Sequence, residues 1–247
     1  MKESTREPKG RDALFSTEAD LVEAFRFDES VASVFGDMIQ RSVPGYGTIL
    51  SMIGLVAARQ MGRGSVAWDL GCSLGGSTLA MASALPHDDF TIHAVDNSPA
   101  MIERASTNLA PLGERVELHL GDIRDVEVEG ADLIVLHLTL QFVDPGDRLA
   151  LLQRLHAGLK PGGLLILSEK LRFDDPDRHE RMTDLYYDFK RANGYSELEI
   201  AQKRNALEEV MICNTAEEHV ERLRAAGFAR VEEWFRAVTF ASFLAFK

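Results

Sequence analysis

The chain has 247 residues, 45% hydrophobic and 27% charged, enough to hide roughly 70–75% of its unfolded surface in one α/β domain or two small ones. Its net charge is −12. That excludes a broad nucleic-acid footprint, which needs Lys and Arg to displace counterions, but not a small anionic substrate held by a local pair of cations.

Met1–Asp12, MKESTREPKGRD, is polar and charged. It reads as a flexible tail, and residues 1–27 as mostly tail. It lacks the apolar stretch of a signal peptide, and no apolar run approaches a membrane span. Cys72 and Cys213 form no CxxC and no metal spacing, so they read as reduced thiols in a cytoplasmic protein. No His pair has H-x-H or H-x-x-x-H spacing, and no metal site is expected.

Helical periodicity runs through DESVASVFGDMIQRSV, where Val31, Val34, Phe35, Met38 and Ile39 share a face. Pro44-Gly45 breaks it, and a second helix is expected over Tyr46–Gln60. Strands and helices then alternate. Expected strands are Val66–Leu70, Phe90–Val95, Val116–Leu120, Leu133–Leu138 and Leu164–Ser168. Between them lie helices over Ser77–Leu85, Pro99–Leu109 and Arg148–Leu159, the last closed by a tight turn at KPGG. Ser98 and Pro99 form a helix start. Such alternation implies right-handed crossovers and a parallel sheet. Two charged helices follow, Asp174–Ala192 and Ser196–Ile212, then Thr215–Ala226. Val231–Ala237 and Thr239–Phe246 read as an antiparallel closing pair. The expected organisation is one domain over 28–247, with a helical cap at 28–62 and a helical insert near 172–212.

The loop after the first strand is DLGCSLGG, with Gly71, Gly75 and Gly76. It lacks the second glycine of G-x-G-x-x-G, which brings backbone against a pyrophosphate, and no GK[ST] follows. The loop turns tightly but is not built for phosphate. Asp96 ends the second strand, where a carboxylate can accept from two ribose hydroxyls; Asn97 adjoins it. Gly121-Asp122-Ile123 ends the third, where Asp122 can accept from an adenine amino group and the Ile123 amide can donate to a ring nitrogen. Alternatively, Asp96 caps the Pro99 helix and Asp122 caps a turn. All lie at strand carboxyl ends, where an open α/β sheet binds ligands. The loop resembles the first motif of class I S-adenosylmethionine-dependent enzymes.

A narrower resemblance rests on FGDMIQRSVPGY, DLGCSLG, VDNSPAMIER, GDIRD, LTLQF, LSEK and DFKRANGYSELEIAQKR. Together they resemble the carboxy-S-adenosyl-L-methionine synthases, from about Phe27 to the C-terminus. The resemblance implies a class I methyltransferase-like fold: a doubly wound, mostly parallel seven-stranded sheet with a terminal antiparallel hairpin and a helical cap. It implies that S-adenosyl-L-methionine and prephenate become carboxy-S-adenosyl-L-methionine and phenylpyruvate. The product would serve a tRNA carboxymethyltransferase acting on wobble uridine, and the enzyme would be a homodimer. Carried over by motif, the ligand contacts are Tyr46, Gly71, Cys72, Ser73, Asp96, Asn97, Asp122, Ile123, His137 and Arg204. His137 stands where the family has Asn, and a His offers a similar donor.

The resemblance gives Arg204 the catalytic place, its guanidinium bonding the carboxylate formed beside the sulfonium. Spacing alone favours a solvated residue pairing with Glu208. The insert has no place in the core sheet, which leaves a second subunit as one source of that helix. Three rival readings remain: an ordinary small-molecule methyltransferase, a silent adenosyl-binding module, and a direct tRNA enzyme. Trp68 and Cys213 read as core residues.

Overall fold

The computed structural model describes residues 10–17 and 24–247. Residues 1–9 and 18–23 of the expected tail lie outside these. Asp12, placed in the tail by its sequence context, is buried instead. The Tyr195 hydroxyl donates to its carboxylate, and Lys203 Nζ lies 3.4 Å from the same oxygen.

The cap is two helices, α1 (Glu29–Ser42) and α2 (Tyr46–Gln60). Asp28 caps α1 by accepting from the Val31 amide at 3.0 Å. Seven strands follow: β1 (Ser65–Leu70), β2 (Phe90–Asp96), β3 (Val116–Leu120), β4 (Ala131–His137), β5 (Leu159–Lys170), β6 (Arg230–Ala237) and β7 (Phe240–Phe246). Helices α3 (Gly76–Ala84), α4 (Pro99–Leu109) and α5 (Arg148–Gly158) lie among the first five strands. Helices α6 (Pro176–Ala192) and α7 (Glu197–Leu207) form the insert, and α8 (Ala216–Ala225) precedes the closing hairpin.

The sheet order is β3-β2-β1-β4-β5-β7-β6. The first five strands are mutually parallel, and β7 is antiparallel to both β5 and β6. Chain order reverses between β1 and β4, so their crossovers leave in opposite directions and open a crevice at their carboxyl ends. The central strands are apolar on both sides because both faces are covered. Ala67, Ile92, Leu133, Val135 and Ile166 pack with residues of α2 and α3. Trp68, Leu70, Ile134, Leu136 and Leu167 pack with residues of α5 and α8.

Two expectations need correction. The strand expected from Leu164 starts earlier, at Leu159, with KPGG inside it: Ala131 pairs with Leu159 and Leu133 with Leu164, and Lys160–Gly163 between them have no partner on β4. Gly162 takes φ +78° there, so the irregularity is absorbed inside the strand. The second insert helix stops at Leu207, short of Ile212. Ile212 is drawn away because its amide donates to the Gln141 carbonyl at 2.9 Å, and its carbonyl accepts from Arg148.

Arg148 is fully buried at the start of α5. Its Nε donates to Val143 O at 2.9 Å, and its Nη2 to Gln141 O at 3.2 Å and Ile212 O at 3.0 Å. Nη1 donates to Asn214 Oδ1. One planar cation thereby joins the turn after β4 to the chain leaving α7. Arg148→Met keeps bulk but strands several buried acceptors, so urea denaturation is expected to show a loss of about 3–5 kcal/mol.

Candidate functional site

A cavity of about 840 Å³ opens at the reversal point, near the upper end of the roughly 300–1,000 Å³ usual for small-molecule sites. Its walls come from the carboxyl ends of the parallel strands, the cap and the insert. Tyr46, Gly71, Cys72, Ser73, Asp96, Asn97, Asp122, Ile123, His137 and Arg204 all line it.

The β1 loop is shaped by two constraints. Gly71 has φ +82°, and a Cβ there would come within 2.4 Å of Thr139 Oγ1, so only glycine fits without a shift. The Gly71 and Cys72 amides both donate to Val95 O, at 2.8 and 2.9 Å. Ser73 and Leu138 both have positive φ, 52° and 64°, and both line the cavity; such strain collects at functional sites. Below the loop, the buried Asp69 carboxylate accepts from Thr78 Oγ1 at 2.7 Å, and burial lifts its pKa to about 6.

Asp96 does not cap α4. Ser98 does, accepting from the Met101 amide at 3.2 Å. Asp96 accepts instead from the Ser73 and Ser98 amides, each at 2.9 Å. Burial pushes its pKa up. Each carboxylate oxygen keeps further acceptor capacity for a ligand hydroxyl. Asp122 is held by Arg124, whose backbone amide donates to it at 2.8 Å and whose Nη2 donates at 2.8 Å; those bonds lower its pKa.

His137 ends β4 and stacks on Tyr46, with ring centroids 5.3 Å apart and planes 15° apart. Its Nδ1 sits 3.2 Å from Ser77 Oγ. Its Nε2 is buried without a partner among the described residues. Burial alone pulls the imidazole pKa down to about 4, so the ring is neutral at pH 7. A neutral ring with a spare nitrogen suits a cationic ligand that a charged ring would repel.

Phe25, Phe27, Phe35 and Phe142 line the same cavity. Phe27 meets Phe25 and Phe142 edge-on, each at 5.1 Å between centroids. They form an apolar wall under the cap, which limits water at the site.

The insert and the end of β5 contribute lysines to which sequence reasoning gave no site role. Lys170 at the end of β5, Lys190 on α6 and Lys203 on α7 all line the cavity. Lys190 and Lys203 are buried. Lys170 Nζ lies over the Tyr186 ring at 4.7 Å, and Lys190 Nζ lies 5.4 Å from the Tyr195 ring. Lys203 also lies 3.2 Å from Ser42 Oγ. Burial lowers all three pKa values, Lys203 to about 8 and Lys190, which Lys203 and Lys170 also repel, to about 7. Arg204 is exposed, and its guanidinium reaches Asn205 Oδ1 at 3.4 Å. No ion pair with Glu208 occurs among the described residues. Arg204 lines the cavity of its own chain. Cys213, expected in the core, is half-buried and lines the cavity too. The only signal for these residues was the unusual polarity of the insert.

Residues 67–163 match a family model described as a methyltransferase domain. The carboxy-S-adenosyl-L-methionine synthase of Chromohalobacter salexigens is 52% identical over 239 residues, covering 96% of this chain and 88% of the relative. That of Geobacter sp. strain M21 is 53% identical, covering 96% and 98%. That of Klebsiella pneumoniae is 50% identical, covering 96% and 97%. Among solved structures, human N-acetylserotonin methyltransferase in complex with SAM aligns with a TM-score of 0.58 at 19% identity, over 89% of this chain and 55% of that one. An O-methyltransferase family protein from Burkholderia thailandensis aligns with a TM-score of 0.62 at 17% identity, over 89% and 59%. This chain spans less than two thirds of those structures' length, and at such identities the likeness is one of fold.

The buried ammonium groups carry a stability signature. Lys190 has a folded pKa of about 7 against an ordinary 10.5. Below pH 7 both states are protonated and the cost of burial is fully present. Between pH 7 and 10.5 the unfolded chain binds more protons, so stability rises with pH. Lys190→Met is therefore expected to raise stability at pH 6 by on the order of 2 kcal/mol, with the gain fading towards pH 10. Thermal melts of both proteins across that range measure it.

Proposed function

Because the chain belongs to the carboxy-S-adenosyl-L-methionine synthase family, we propose that it takes prephenate as its second substrate and releases phenylpyruvate with the carboxylated sulfonium. The enzyme type and the use of S-adenosyl-L-methionine follow from the relatives and the methyltransferase fold. The observation that carries the choice of prephenate is the trio Lys170, Lys190 and Lys203 on one cavity wall. A methyl acceptor needs no such charge. A dicarboxylate does, because each buried ammonium becomes cheaper to keep once an anion faces it.

The residue roles are those the family resemblance implies, and placement around one cavity supports them. Asp96 and Asn97 hold the ribose, and Asp122 and the Ile123 amide hold the adenine. Gly71, Cys72 and Ser73 let the backbone approach the amino-acid part. Tyr46 and His137, stacked and uncharged, border the sulfonium. Prephenate loses CO2 and hydroxide together as its ring becomes aromatic, the hydroxide takes a proton from the acidified S-methyl group and leaves as water, and the resulting ylide carbon bonds to the CO2. Closeness of the two and exclusion of water by the phenylalanine wall keep that CO2 from escaping. Arg204 binds the new carboxylate through its guanidinium fork. The lysine wall orients prephenate with its carboxylates away from the adenosyl end.

The product serves a tRNA carboxymethyltransferase, and the working form is a homodimer. Among the described residues no helix is long and apolar enough to cross a membrane. The net charge of −12 fits an enzyme that makes the donor and leaves tRNA to its partner.

The deciding measurement is the mass of the nucleoside formed from S-adenosyl-L-methionine with and without prephenate. A species one CO2 heavier, appearing only with prephenate, is expected. S-adenosylhomocysteine as the product, indifferent to prephenate, overturns the reading and returns the chain to ordinary methyl transfer. Arg204→Ala is expected to cut carboxylated product at least about 100-fold while S-adenosyl-L-methionine binding stays within a few-fold. Unchanged turnover in that variant removes Arg204 from the chemistry.

A further inference from the structure

A second group of ligating side chains lies outside the cavity, on the sheet face beyond β2 and β3. His93 is paired in register with Glu117 across the two strands. His119 follows Glu117 by two residues on β3, so its side chain projects from the same face. The three donor atoms crowd together. His93 Nδ1 lies 3.1 Å from His119 Nε2 and 3.3 Å from Glu117 Oε2, and His119 Nε2 lies 4.0 Å from that oxygen. Four ligands about 2.05 Å from a tetrahedral metal are themselves separated by about 3.3 Å. The trio already approximates three corners of that figure.

Two features oppose a purely hydrogen-bonded explanation. His93 Nδ1 faces both the imidazole nitrogen and the carboxylate, and one N–H cannot point well at both. A cation between the three satisfies all of them. The rings are also held rather than free. His93 stacks on Trp68 at 4.3 Å with planes 25° apart, and His119 lies 6.1 Å from Trp68 with planes 16° apart. Ligands mounted on paired strands and braced by an indole lose little freedom on binding.

The local architecture explains why the trio is reachable. The connection Gly121–Gly130 between β3 and β4 contains no helix, so that end of the sheet face is left open. The Glu117 side chain is 55% exposed and that of His119 is 40% exposed. Water can take the fourth position.

We propose that His93, Glu117 and His119 form a binding site for a borderline divalent cation, Zn(II) or its like, that clamps edge strand β3 to β2. Imidazole donors select this class over Mg(II) and Ca(II), which prefer all-oxygen sets. The clamp sits two residues before Gly121-Asp122 and three before Asp96. It therefore braces the two strand ends that border the cavity without touching it. The role is structural, and turnover does not require the ion.

The test uses the full-length chain freed of any histidine tag. Calorimetric titration with zinc chloride is expected to show one ion per chain at micromolar affinity, accompanied by a rise in melting temperature. Magnesium chloride at millimolar concentration should neither bind there nor compete. His119→Ala and Glu117→Gln should each weaken zinc binding more than about 10-fold and abolish the melting shift, with circular dichroism and basal turnover retained. Cobalt(II) provides a second readout: intense visible bands of a tetrahedral complex in the parent chain, absent from Glu117→Gln. Zinc affinity weaker than millimolar, or affinity unaltered in both variants, overturns the proposal.

Discussion

The reversal of strand order between β1 and β4 is the constraint from which the rest follows. Parallel strands with right-handed crossovers leave a crevice only where neighbouring connections run to opposite sides. Polar groups that would be costly inside the sheet are affordable at its carboxyl edge. Asp96, His137 and Lys170 each terminate a strand there. The cap and the insert wall that edge into a deep cavity.

Charge within the chamber is sorted by position. Carboxylates sit on the β2 and β3 side, where they can accept from ligand hydroxyl or amino groups. Ammonium groups sit on the β5 and insert side, where they can donate to an anion. Between them stands the uncharged pair Tyr46 and His137. A cationic sulfonium can rest against such neutral rings without repulsion. The arrangement costs folding stability, since Lys190 and Lys203 are buried with their charges only partly matched. Functional sites commonly carry such local expense.

Much of the sheet was legible because its signals are local. Helix α2, helix α4 and strand β3 were bounded correctly from breakers, caps and apolar runs alone. The β1 loop could be separated from phosphate loops by one absent glycine, and the resemblance of longer stretches supplied the family. The lysine wall was illegible, since Lys190 and Lys203 on charged helices look like solvated faces until the helices are folded over a cavity. Asp12 looked like tail because Tyr195 and Lys203, which meet its buried carboxylate, lie beyond residue 190. The KPGG segment carries strong turn residues, and they form the register irregularity of β5: Lys160–Gly163 have no partner on β4, while Leu159 and Leu164 on either side do. The His93 group escaped notice because its donors come from two strands, and Glu117 and His119, two residues apart, supply only two of the three.

The clasp of Asp12 on Tyr195 and Lys203 ties the earliest described part of the chain to a segment made near its end. During synthesis, β1 to β5 can assemble while that carboxylate waits without its counterpart. The chamber roof is thus among the last parts to settle, and the nascent chain has no sealed site in which to trap a substrate prematurely.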